Sequence, residues 1–131
     1  MKKLFYPAIF QIEETGYSVT FPDVEGCITQ GEDMQEAYEM ANDALGLVLS
    51  YLKAEHKEIP KASLPQNIKV TDNQFIVVIE FDMQAYLRKN CNKAVKKTLS
   101  IPQWLNEEAE EAGINFSQVL QNALKEKLEI K

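Results

Sequence analysis

Residues 93–128 read KAVKKTLSIPQWLNEEAEEAGINFSQVLQNALKEKL. Over Val95–Ile101 the side chains alternate as in a strand: Val95, Lys97, Leu99 and Ile101 share one face, and Lys96, Thr98 and Ser100 share the other. Pro102 suits the first position of a helix, and QWLNEEAEEA continues it to Gly113, which can close it in a left-handed cap. Asn115 can cap a second helix, with Gln118 at the capping-box position. That helix places Phe116, Val119, Leu120, Ala123, Leu124 and Leu128 on one face. Strand, helix, glycine turn and helix make a unit of residues 95–131, below the ~40 residues at which a core usually stands without disulfides, metals or oligomerisation. No cysteine pair or metal set is present, so a second chain is expected. Leu99, Ile101, Leu105, Phe116, Val119, Leu120 and Leu124 are the expected dimer core.

Two copies of the strand pairing antiparallel would form a ribbon. Its apolar face would rest on the helices, with Lys97 as the misfit whose stem packs and whose ammonium stays in water. Its other face, Lys96, Thr98 and Ser100, carries hydrogen-bonding groups that suit base edges in a major groove. Backbone amides near Asn115, Phe116 and Ser117 can hold a phosphate, and Arg88, Lys89 and Lys93 add attraction. The spacing also fits a plainer reading, an edge strand bearing lysines against aggregation.

Charge sharpens the contrast. The chain sums to −6, yet Met83–Asn106 has no Asp or Glu and holds Arg88, Lys89, Lys93, Lys96 and Lys97, a net +5. Residues 1–82 carry 6 Lys against 14 Asp and Glu, a net −8.

In that half, LFYPAIFQI reads as a strand, with Pro7 near an edge; YSVTF follows as a second, half-buried strand, and CITQ as a short third. Two successive hairpins suggest an antiparallel meander. Residues 31–56 read as a long helix capped by Asp33, with Glu36 three residues on; Met34, Ala37, Tyr38, Ala41, Leu45, Val48, Leu49 and Leu52 form its apolar stripe. The continuous apolar run FIVVIEF suggests a strand interior to the sheet, and DMQAYLRKN one or two helical turns. The expected class is α+β, divided into residues 1–82, a connecting segment 83–94, and 95–131.

Other signals bound the function. No apolar run approaches the ~18 residues that span a bilayer, and MKKLFYPAIF makes a poor signal peptide. Cys27 and Cys91 have no redox or metal spacing, which suits a reducing cytoplasm. His56 is the one histidine, so a histidine-based catalytic pair is not expected. A metal-dependent nuclease needs converging carboxylates. Asp23, Glu25, Asp33, Glu80 and Asp82 show no ligand spacing: Asp33 reads as a helix cap, Asp23 as a turn former, Glu80 and Asp82 as a strand exit. No metal, cofactor or catalytic residue is expected.

Residues 96–128, with the Ile-Pro strand exit, the glycine turn and the Asn-Phe-Ser helix start, resemble a ribbon-helix-helix DNA-binding domain. The N-terminal half, through FPD-x-x-GC-x-TQG and the capped helix after it, resembles the HicB family of antitoxins. The resemblance implies a partial ribonuclease-H-like fold without nuclease activity, which blocks a small basic mRNA-cleaving toxin of HicA type. It also implies a C-terminal homodimer that binds operator double-stranded DNA and represses its own operon, with a higher oligomer open. Lys96, Thr98, Ser100, Asn115, Phe116, Ser117, Lys93 and Arg88 are then the expected DNA contacts, and Asp23 and Glu25 the expected toxin contacts. The alternative is a dimeric ribbon-helix-helix regulator with some other ligand at its N-terminal half.

Overall fold

The computed structural model describes residues 3–130. β1 (Leu4–Ile12), β2 (Tyr17–Thr20) and β3 (Ile28–Gly31) form the expected antiparallel meander, and α1 (Met34–Ala54) crosses one face of it. The strand β4 (Gln74–Phe81) pairs antiparallel with β1, giving the order β3-β2-β1-β4. Alternation explains the layer: Tyr6, Ala8 and Phe10 of β1, Val19 of β2, and Ile79 and Phe81 of β4 are buried in one cluster with Ala37, Ala41, Leu45 and Leu49 of α1.

The run FIVVIEF is therefore at an edge, not in the interior. Its apolar character on both faces has a local cause: Phe75, Val77 and Ile79 turn to the core, while Ile76 and Val78 lie beside Ile9 and Pro7 on the opposite face. Pro7, in turn, belongs to a central strand. Alternate pairing directs its missing donor away from β4 and toward the β2 side, where pairing ends at Ile9 and Thr20. No ladder bond is lost there.

Helix starts follow the sequence closely. Asp33 caps α1 by accepting from the Glu36 N–H at 2.8 Å, and Glu36 Oε1 reaches back to the Glu32 N–H at 2.9 Å. Asp82 caps α2 (Met83–Asn90), accepting from the Ala85 N–H at 3.0 Å, so it is more than a strand exit. α2 packs on α1. A notch at Gly46 receives the Tyr86 ring, where an added Cβ would stand 2.2 Å from Cε1.

The chain divides into two compact units between Lys93 and Ala94. In the second, residues 94–102 have neither helix nor strand, so the stretch expected as a strand pairs with nothing in the single chain. α3 (Gln103–Glu111) and α4 (Phe116–Lys127) follow. Pro102 stands at the N-cap, one position before the helix start expected of it, and its carbonyl accepts from the Asn106 N–H at 3.1 Å. Gly113, at φ +71°, closes α3: its N–H bonds the Glu110 carbonyl and the Ile114 N–H bonds that of Ala109. Asn115 caps α4 through the Gln118 N–H at 3.0 Å.

Candidate functional site

The C-terminal unit has no closed core. Neither α3 nor α4 contains a buried residue. Leu99, Ile101, Leu105, Phe116, Val119 and Leu124 are each 41–60% exposed, and Leu120 is half-buried. Uncovered apolar side chains at this density mark an interaction surface, because water around them is the state that association relieves. An open groove of about 700 Å³ separates the 94–99 segment from α4; Val95, Leu99, Leu120 and Leu124 line it.

Lys96, Lys97 and Ser117 also line that groove, so the structure brings the first strand lysines and the start of α4 together. Lys96 and Lys97 both border the groove while this segment is unpaired. Thr98 and Ser100 are exposed and lie outside the groove lining, as do Asn115 and Phe116. Lys93 and Arg88 belong to the other unit, Arg88 in the last turn of α2 and Lys93 beyond it; both are exposed.

In the N-terminal unit, Asp23 is held by Ser63, whose N–H donates to Oδ2 at 2.9 Å and whose hydroxyl donates to Oδ1. Both carboxylate oxygens thus tie the 21–27 loop to the connection after α1. Close by, the buried Tyr6 hydroxyl donates to the Pro60 carbonyl, and burial, with the Asp23 carboxylate adding to it, holds this phenol above its ordinary value. Glu25 is exposed. A denser carboxylate group lies at the opposite end of β2, where Glu13, Glu32 and Glu36 line an open recess of about 550 Å³ with Ser18, Gln30 and Met40. Glu13 accepts there from Gln11 and Ser18.

Sequence reading missed that recess, because Glu13 lies far along the chain from Glu32 and Glu36. It also missed a second apolar stripe on α1, Met40, Leu47 and Tyr51, exposed to one side of the core face. A spacing of seven and four residues was the available signal. Cys27 is buried, and burial pushes its thiol up to about 11; Cys91 is exposed. Among the described residues, no three His, Cys, Asp or Glu side chains are grouped to hold a metal, and no helix is long and apolar enough to cross a membrane.

Comparison with known proteins gives the following. The model of a family described as HicB-like antitoxin of bacterial toxin–antitoxin systems matches residues 6–123. Antitoxin HicB 2 of Photorhabdus laumondii is 39% identical over 62 residues, 47% of this chain and 45% of that protein. The chain thus spans less than half the length of that curated relative. A solved chain from a toxin–antitoxin complex of Streptococcus pneumoniae is 31% identical, with a TM-score of 0.63 over 96% of this chain and 99% of that one. A chain of the HicA3 and HicB3 toxin–antitoxin complex shares the fold at 21% identity, TM-score 0.52, over 60% of this chain and 99% of that one.

Proposed function

Because the chain belongs to the HicB-like antitoxin family, we propose that it neutralises a small basic RNA-cleaving toxin with its acidic N-terminal unit and represses its own operon as a C-terminal dimer. Covering a toxin's active site takes an interface and no chemistry from this chain. Opposite charge speeds the encounter and disfavours wrong partners. The first 82 residues, at −8, supply that charge. Glu25 is open to a partner, whereas Asp23, engaged by Ser63, contributes through its field. In this reading the meander β1–β3 with α1 across it is a partial ribonuclease-H-like scaffold that presents the acidic surface.

The observation that carries the second role is the uncovered apolar set of the C-terminal unit beside an exposed basic strand segment. A second copy placed along Val95–Ile101 supplies the missing ladder partner and covers Leu99, Ile101, Phe116 and Leu124 in one step. That ribbon-helix-helix arrangement returns Lys96, Thr98 and Ser100 to one outward face, fit for a major groove. The α4 N-terminus, at Asn115, Phe116 and Ser117, then lies free to meet a phosphate. The test is a mobility shift with the DNA upstream of the chain's own gene. A shift that Lys96→Ala weakens supports the repressor role; equal affinity for that DNA and unrelated DNA overturns it.

A further inference from the structure

The helix α1 carries one apolar row more than its own fold uses. Ala37, Ala41, Leu45 and Leu49 are buried against the sheet, and Gly46 receives the Tyr86 ring of α2 on one flank. On the other flank Met40, Ala44, Leu47 and Tyr51 follow one another in steps of four, three and four. That is the spacing with which a helix packs a straight seam onto a second element. The row extends about 16 Å along the helix. Ala44 is half-buried, whereas Met40, Leu47 and Tyr51 are exposed, Leu47 at 68%. Apolar residues scattered singly over a surface need no explanation, but a continuous row rimmed by charges marks an interaction surface.

The charges beside the row select its occupant. Glu36 and Asp43 stand exposed next to it, four residues before Met40 and Leu47. Met40 also walls the recess that holds Glu13, Glu32 and Glu36. At the far end the Lys57 ammonium lies 5.5 Å from the Tyr51 ring centroid, so the row is acidic at one end and cationic at the other. A second copy laid on this row would press two halves of net −8 together, carboxylate against carboxylate. A basic protein meets the same charges with gain. We propose, resting on the antitoxin reading above, that this row seats the basic toxin. An apolar anchor of the toxin covers Leu47 at the centre, where the strongest contacts of an interface concentrate. Its cationic side chains turn to the Met40 end, toward Asp43, Glu36 and the recess, and Lys57 keeps them from the Tyr51 end.

The full chain, tagged and co-expressed with the product of the adjacent reading frame, provides the test. Leu47→Lys should lower its affinity for the small basic protein by about 30-fold or more, the loss expected at the centre of an interface. Asp43→Lys should weaken binding mainly by slowing association, and most at low salt. Ile28→Lys is the control. Gly31 of β3 meets Ala37 of α1, so Ile28, of the opposite parity, faces away from α1. It receives the same charge as Leu47→Lys and should leave affinity unchanged. All three replaced side chains are exposed, so circular dichroism should match that of the unaltered chain. If the unaltered chain retains no basic protein, the antitoxin reading itself fails. If it retains one, and Leu47→Lys retains it equally or Ile28→Lys weakens it as much, that reading stands and the α1 seat is overturned. A changed sedimentation mass of the toxin-free Leu47→Lys chain would assign the row to a second copy and overturn the seat likewise.

Discussion

Cys27 and Tyr6 should make the N-terminal unit sensitive to alkaline pH. Burial raises the Cys27 thiol from 9.0 to about 11, and the Tyr6 phenol shifts upward for the same reason. Below pH 9 both folded and unfolded chains hold the thiol proton, and it contributes no pH dependence. As pH rises from 9 to about 11, the unfolded chain loses this proton first, so stability falls. Two pKa units correspond to about 3 kcal/mol at most. Urea unfolding across this window should show the fall, and Cys27→Ala should flatten most of it. Gly46 is a second sensitive position. Gly46→Ala drives a methyl into the Tyr86 ring; overpacking costs about 1–3 kcal/mol, partly offset by up to ~1 kcal/mol of helix propensity. Reduced amide protection in α2, with the sheet unaffected, is the expected signature. At the DNA face, Thr98→Ala and Lys96→Ala should each cost about 1–3 kcal/mol on operator DNA and relax specificity. An equal loss on random DNA would assign these side chains to phosphates.

Elements differ in how plainly the sequence announced them. The β1–β3 meander and α1 were legible, because period-two alternation and an Asp-x-x-Glu cap are local signals. So were α2, the Gly113 stop and the Asn115 cap. The edge position of β4 was not: a continuous apolar run reads as interior, and only the pairing order shows that one side lies open. The 95–101 segment marks a different limit. Its alternation says which residues share a face, but a strand exists only beside another strand, and the single chain sets none beside this segment. The acidic recess was less legible still, since Glu13 follows β1 while Glu32 and Glu36 flank the start of α1, and they converge only after folding. At this scale Phe116→Asp should unfold the C-terminal unit, because the proposed dimer core cannot take an unpaired charge. The N-terminal unit should keep its own transition in thermal circular dichroism. One cooperative collapse of both would contradict the division after Lys93.

Across the whole molecule, charge is sorted by role. The N-terminal 82 residues are at −8, and the Met83–Asn106 window is at +5. Salt should therefore weaken operator binding steeply, with the logarithm of affinity falling linearly against the logarithm of salt concentration. A salt-independent shift would mean that Lys93, Lys96 and Arg88 do not meet phosphates. The acidic half bears the larger claim, and it is tested apart from DNA. Tagged chain co-expressed with the product of the adjacent reading frame should retain a small basic protein through purification and relieve its toxicity to the host. Retention together with restored growth is the expected outcome; a chain that purifies alone, with growth still arrested, would contradict its role as an antitoxin for that partner.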